Sequence, residues 1–268
     1  MGSSVDSHAH IFQRGLELAP VRRYTPDYDA TLQDYLGRLD AHGIARGVLV
    51  QPSFLGTDNS HLLAALAAEP ERLRGIAVVA PEVSLETLAA LDRGGVVGIR
   101  LNLAAGAPLP DLEGGPWPAC LDLVAGLGWQ VEVLRAARDL PGLVAALLRR
   151  GVDVVVDHFG LPDPELGVDD PGFRALLALA GSRRVWMKLS GPYRNGPGLP
   201  RAAMPLLREA FGPDRLVWGS DWPHTQFEGQ VDFAEALAHL DTWLPDPMER
   251  RAVLEDTPAG LFRFLTPS

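Results

Sequence analysis

Val5-Asp-Ser-His-Ala-His-Ile-Phe12 is a short, mostly apolar run with two histidines two residues apart, and its reading decides between the two folds that the rest of the chain allows. An open, doubly wound sheet built to bind a dinucleotide places a glycine-rich loop directly after its first strand. Here that position reads His8-Ala-His-Ile-Phe-Gln13, without a glycine. The run is therefore read as the first strand of a closed barrel whose mouth carries side-chain chemistry.

Seven further runs of the same kind follow: Gly47 to Pro52, Gly75 to Pro81, Val97 to Leu103, Trp129 to Leu134, Asp153 to Phe159, Val185 to Gly191 and Leu216 to Trp222. Most are near-continuous in apolar, β-branched residues, as expected of parallel strands covered on both faces. Segments of helical period lie between them. Thr31 with Asp34 three places on forms a capping box before Leu32, Tyr35, Leu36 and Leu39, and Gly43 ends that helix. Ser84 caps a second stripe, Asp170-Pro171 starts a third, and Phe233, Leu237, Leu240 and Leu244 line another. Pro205 falls inside Arg201 to Phe211 and is read as the first turn of its helix. Eight βα units in 268 residues, with no linker between them, predict an α/β chain folded as a single (β/α)8 TIM barrel over residues 1–268.

Composition narrows the function. Lys and Arg total 24 against 34 Asp and Glu, a formal charge of −10, which argues against a nucleic-acid or anionic-membrane partner and for a small-molecule substrate. No run approaches the ~20 uninterrupted apolar residues of a membrane span, and no signal-like block opens the chain, so a cytoplasmic location is expected. One cysteine, Cys120, excludes an internal disulfide or a multi-cysteine metal site and is read as a buried thiol. A homo-oligomer is left open.

In a barrel the chemistry comes from the C-terminal strand ends, so the parity of inward-facing positions is the test. Asp6, His8 and His10 share one parity, Arg100 and Asn102 another, and Glu132, Lys188 and Ser190 fall in phase on their strands. Strand six ends in Asp157-His158, strand eight in Gly219-Ser-Asp-Trp222, and strand two in Gln51 and Ser53. An interior without function would show Val, Ile and Leu there, because unpaired buried charge costs several kcal/mol. His8, His10 and Asp221, with His158 or Glu132 as a further donor, have the chemistry of a site for one divalent ion, zinc or manganese; a metal-free version could use the same imidazoles on substrate oxygens. Asp221 suits a general base toward water, and Arg100 and Arg194 suit a substrate carboxylate or a developing oxyanion. Tyr24 lies in a polar loop on the same face.

Asp6-Ser-His-Ala-His10, Gly47-Val-Leu-Val-Gln-Pro-Ser53 with Gly56-Thr-Asp-Asn59, Gly98-Ile-Arg-Leu-Asn102, Val156-Asp-His-Phe-Gly160, Lys188-Leu-Ser-Gly191 and Trp218-Gly-Ser-Asp-Trp-Pro-His224 occur in that order. With the closing Asp256-Thr-Pro-Ala-Gly-Leu-Phe262, the chain resembles the amidohydrolase superfamily, in the branch of 2-pyrone-4,6-dicarboxylate lactonase and the sugar-acid lactonases. The resemblance implies a (β/α)8 hydrolase with His8, His10, His158 and Asp221 at its catalytic centre, Asp221 as base, and Tyr24, Ser53, Arg100 and Arg194 on the substrate. Asn102 and Glu132 are added from strand parity. It implies either no cofactor or one divalent ion, because many members bind metal and the pyrone-dicarboxylate type works without it.

Glu132 stands where many metal-dependent members have a histidine, which argues against a binuclear site. The loops Leu103-Ala-Ala-Gly-Ala-Pro and Phe159-Gly-Leu-Pro-Asp lack further arginines of the dicarboxylate pattern, so a monoanionic or neutral sugar lactone is expected. Lactone hydrolysis leads. A metal-dependent decarboxylase or amide hydrolase, a lactone isomerase, and a barrel that only binds are the alternatives.

Overall fold

Eight strands appear where the apolar runs predict them: β1 Val5–Ala9, β2 Arg46–Val50, β3 Leu73–Ala77, β4 Val96–Asn102, β5 Gln130–Leu134, β6 Asp153–Val156, β7 Val185–Leu189 and β8 Leu216–Trp218. The computed structural model describes residues 3–104, 106–196 and 198–264. All strands pair in parallel and in chain order. The ring is completed where Ala9 bridges Trp222: the His10 amide donates to the Trp222 carbonyl at 2.8 Å, and the Asp221 amide to the His8 carbonyl at 2.9 Å. The fold is a (β/α)8 barrel.

Helices α1 Leu32–Ala41, α2 Ser60–Ala68, α3 Leu85–Arg93, α4 Trp117–Gly126, α5 Leu140–Arg149, α6 Pro171–Ala178, α7 Leu199–Phe211 and α8 Phe233–Trp243 alternate with the strands. The caps are those the sequence spells out. Thr31 and Asp34 form both bonds of the capping box on α1, Ser84 accepts from the Thr87 amide on α3, and Asp170 accepts from Gly172 and Phe173 on α6. Each such cap is worth about 1 kcal/mol. One expectation fails: α7 begins at Leu199 with Pro200 in its first turn, so Pro205 lies inside the helix. The pyrrolidine nitrogen cannot donate backward there, and Ala203, Met204 and Leu207, packed into the core, hold the helix across it. Among the described residues, no helix is long and apolar enough to cross a membrane.

Inside the ring, Val5, Val48, Val50, Ile76, Val97 and Val217 form an apolar layer closed below by Phe262 and Phe264. The Arg46 and Arg74 guanidiniums lie over the Phe264 ring, 5.3 and 4.8 Å from its centroid. The barrel floor is therefore sealed by the segment that follows the last helices, α9 Pro247–Arg251 and α10 Thr257–Leu261.

A register shift separates the pairs Asp6↔Gly47 and Ala9↔Leu49. Three steps on β1 match two on β2, a bulge that reverses the phase of the strand. Val5 thus faces the inner layer, whereas Asp6 turns outward to α1: Tyr35 Oη donates to it at 3.1 Å and Ser220 Oγ at 2.6 Å. The shared parity of Asp6 with His8 and His10 is corrected on this point. Burial raises the Asp6 carboxyl to about 6 against those hydrogen bonds.

Candidate active site

Above the apolar layer the inward positions become charged. Arg100 and Glu132 are register partners on β4 and β5, and Lys188 projects from β7 toward them. Lys188 Nζ lies 2.6 Å from Glu132 Oε1, 3.4 Å from Asp157 Oδ1 and 2.9 Å from His8 Nδ1, all fully buried. Arg100 donates to Asp157 Oδ2 through Nε at 3.0 Å and Nη2 at 2.9 Å. Burial pushes both carboxyls up. For Glu132 it prevails over Lys188, reaching about 7, whereas Lys188 and Arg100 together hold Asp157 well below the usual carboxylate range. Two carboxylates and two cations thus balance, which is what allows them inside a barrel.

The next layer holds the imidazoles and Asp221. His8 Nε2 lies 3.2 Å from His10 Nε2 and 3.7 Å from Asp221 Oδ1, and the His8 ring stands edge-on to His158 at 4.9 Å. Gly219 makes this packing possible, since a Cβ there would fall 2.6 Å from His8 Cβ. Asp221 Oδ2 accepts from Arg194 Nε and Tyr193 Oη, each at 2.6 Å, while Oδ1 is buried without a hydrogen-bond partner. Burial raises the Asp221 carboxyl, but the Arg194 guanidinium together with the surrounding His158, His8 and His10 outweighs it and holds the group well below its ordinary range. Burial keeps the imidazoles neutral: His10 and His158 fall to about 4, and His8 falls well below its usual value with Lys188 adding to the effect. His158 and Asp221 both adopt positive φ, 51° and 60°, a conformation that L residues adopt at a cost and that here sits at the reactive groups.

Hydrogen-bond directions follow from one fixed acceptor, the Val50 carbonyl, and one fixed donor, Lys188. His10 Nδ1 lies 2.7 Å from the Val50 carbonyl, so it carries the hydrogen and Nε2 is an acceptor. Lys188 is a donor only, so at 2.9 Å it donates to His8 Nδ1. The His8 hydrogen is then on Nε2, directed between His10 Nε2 and Asp221 Oδ1. His158 Nδ1 pairs with Ser190 Oγ at 2.8 Å.

His10, His158, Asp221, Arg100, Arg194, Ser53, Tyr24 and Asn102 all line one opening of about 470 Å³ at the C-terminal strand ends. His8 lies just beneath it. Glu132, expected on the substrate, does not line it: its parity is inward, but it sits one layer deeper against Lys188. Three residues that the pattern left without a role belong here. Arg23 lines the opening and makes no ion pair or hydrogen bond among the described residues; burial and the neighbouring Arg194 and Arg100 hold its guanidinium below the usual range. Tyr193 holds Asp221 Oδ2, and His224 lies 3.2 Å from the Tyr193 hydroxyl. Tyr193 adjoins Arg194, and His224 closes the strand-eight motif, so adjacency was the one available signal. The rim is closed by Glu228, whose Oε1 accepts from Tyr24 at 3.0 Å and Tyr28 at 2.7 Å, joining the loops after β1 and β8.

Fold and site together define a (β/α)8 protein of hydrolase type, with a carboxylate, imidazoles and guanidiniums gathered at the barrel mouth. The amidohydrolase family profile matches residues 5–264, and the chain belongs to that family. It is 33% identical to a 2-pyrone-4,6-dicarboxylate hydrolase of Comamonas testosteroni, over 97% of this chain and 90% of the relative. It is 30% identical to a 4-sulfomuconolactone hydrolase of Hydrogenophaga intermedia, over 97% and 88%. A crystal structure of a probable 2-pyrone-4,6-dicarboxylic acid hydrolase from Acinetobacter baumannii, with citric acid bound, superposes with a TM-score of 0.93 at 38% identity, covering 98% of this chain and 100% of that one.

A divalent ion is common in such barrels, and by distance two donor sets qualify: His8, His10 and Asp221, and His8, Asp157 and His158. The hydrogens disagree. An ion needs the Nε2 lone pair of His8, and that atom carries the hydrogen. In the second set the Lys188 ammonium lies against both His8 Nδ1 and Asp157 Oδ1. With the hydrogens so placed these residues do not fit a metal, although the His8, His10 and Asp221 atoms lie as close together as the possible site read from the sequence requires.

Proposed function

We propose that the protein opens a lactone ring by adding water, with an acidic group of the substrate held at Arg23. The observation that carries this is Asp221: one oxygen is fixed by Arg194 and Tyr193, and the other is unpartnered and beside the mouth. A water bound there loses a proton to Oδ1 as it attacks the ring carbonyl, and the carbonyl electrons move to oxygen. Arg100, Arg194 and His158 line the space in which that oxyanion forms. Collapse breaks the ring C–O bond, and Asp221 returns the proton to the departing oxygen, giving a hydroxy acid. The curated relatives are named as hydrolases of a pyrone dicarboxylate and a sulfomuconolactone, both acidic cyclic esters.

The charge count supports an anionic substrate. Arg23, Arg100 and Arg194 line the mouth, while Asp157 and Asp221 neutralise two of the three. One positive charge is left over, at Arg23. Of the monoanionic or neutral sugar lactone expected from the sequence, the neutral form leaves Arg23 unmatched, which supports a substrate with an acidic group. The fully buried lone thiol of Cys120 accords with a reducing, cytoplasmic setting.

The test is a panel of lactones bearing none, one or two carboxylates, with products identified by mass. The proposal expects an acidic lactone to gain one water and become the hydroxy acid. An isomeric product, or turnover confined to neutral lactones or amides, contradicts it.

A further inference from the structure

Lys188 reaches across the barrel to touch His8, and nothing in the proposed chemistry uses it. We infer that Lys188 is a positioning residue that fixes the hydrogen of His8 on Nε2 and so keeps the His8, His10 and Asp221 cluster hydrogen-bonded instead of metal-binding. The inference goes beyond the proposed reaction and does not depend on which substrate is opened.

Three observations carry it. Lys188 Nζ is 2.9 Å from His8 Nδ1, and an ammonium has no lone pair with which to accept a hydrogen. The ammonium is held in place by two carboxylates, Glu132 Oε1 on β5 at 2.6 Å and Asp157 Oδ1 just after β6 at 3.4 Å, and is fully buried. Finally, His10 Nε2, 3.2 Å from His8 Nε2, is an acceptor because its own Nδ1 serves the Val50 carbonyl, so the His8 hydrogen has a receiver. The chain of donors runs one way, from Lys188 to His8 to His10.

The alternative arrangement is latent in the same residues. Asp157 Oδ1 is buried without a hydrogen-bond partner and lies 3.5 Å from His8 Nδ1. If Lys188 were absent, His8 could turn its hydrogen from Nε2 to Nδ1 and donate to Asp157, the carboxylate–histidine arrangement that orients a metal-binding imidazole. His8 Nε2, His10 Nε2 and Asp221 Oδ1 would then offer three lone pairs within one cluster. Lys188 decides between the two states by competing for one nitrogen.

Lys188→Met alone would strand Glu132 as an uncompensated buried carboxylate. The informative variant therefore combines Lys188→Met with Glu132→Leu, removing one charge of each sign and leaving Asp157 to Arg100. Wild type and double variant are produced with added zinc, dialysed against metal-free buffer and assayed for zinc per chain. The inference expects under about a tenth of an equivalent in wild type and about one in the double variant, lost again when His10→Gln is added.

Nitrogen-15 NMR of the wild-type histidines, with His8 assigned by the His8→Gln spectrum, reads the tautomer directly and stands even if the double variant does not fold. The expected signal has Nε2 protonated and Nδ1 bare. A folded double variant that gains no zinc, a wild type that holds a full equivalent lost with His10→Gln, or a wild-type His8 protonated on Nδ1 overturns the inference.

Discussion

The two ends of the barrel are built from the same eight strands and the same inward-pointing positions, yet they solve opposite problems. At the floor, Val5, Val48, Ile76, Val97 and Val217 meet Phe262 and Phe264, and stability comes from apolar area removed from water. At the mouth, the corresponding positions hold Glu132, Arg100, Lys188, Asp157 and His8, which are equally buried but contribute no such area. They are tolerated because each charge faces an opposite one: Lys188 with Glu132 and Asp157, Arg100 with Asp157, Arg194 with Asp221. The difference locates what can react. The charges of Glu132, Asp157 and Lys188 are opposed beneath the opening and serve as framework. Asp221, with Oδ1 lacking a hydrogen-bond partner, and Arg23, without an ion pair among the described residues, instead line the opening and have chemistry to offer.

Substitutions should separate the two ends. The largest effect on turnover is expected at Asp221→Asn, which keeps the shape and removes the base: kcat/KM should fall by roughly 10³-fold in steady-state assays, with an unchanged circular-dichroism spectrum. A loss under tenfold would remove Asp221 from its role. Phe262→Ala, at the floor, should lower unfolding free energy by about 3–5 kcal/mol in denaturant titrations while leaving kcat/KM of the folded protein within about twofold. If it reduced turnover as well, floor and mouth would not be separable.

Arg23→Ala should raise KM for a carboxylate-bearing lactone by about tenfold or more and leave a neutral lactone unaffected. Equal effects on both would dissociate Arg23 from the acidic group. The smallest expected change is in pH. Asp221 has a depressed carboxyl, so its basic form persists as pH falls through the usual carboxylate range, and His10 and His158 stay neutral down to about 4. The profile of kcat/KM should thus be level between about pH 5 and 8 and fall only in stronger acid. A break near the ordinary histidine value that persists in Glu132→Gln, which removes the buried carboxyl raised to about 7, would mean that one imidazole must change charge in the reaction.

The eight strands were legible because a strand covered on both faces must be apolar along its length, and the helix starts because Thr31, Ser84 and Asp170 are caps whose bonds form as the residues require. Parity placed Arg100 and Asn102 at the mouth, and the ends of strands six and eight placed His158 and Asp221 there. It misplaced Asp6, because a bulge inserts one step that no alternation of residue types reveals. It also brought Glu132 inward at the wrong depth, since parity gives direction and not height along the axis. Arg23 and Tyr193 come from loops, which have no period to read. Their roles follow from which loops the barrel brings together, as Glu228 does when it binds Tyr24 and Tyr28 across the mouth.

The central claim is that water adds to the ring carbonyl beside Asp221. Turnover of an acidic lactone in oxygen-18 water, followed by mass spectrometry of the fragments, tests it most directly. The account predicts one heavy oxygen in the new carboxylate and none in the new hydroxyl, with incorporation abolished in Asp221→Asn. Label in the hydroxyl, which would mean attack at the ring carbon, or an unlabelled isomer would contradict it.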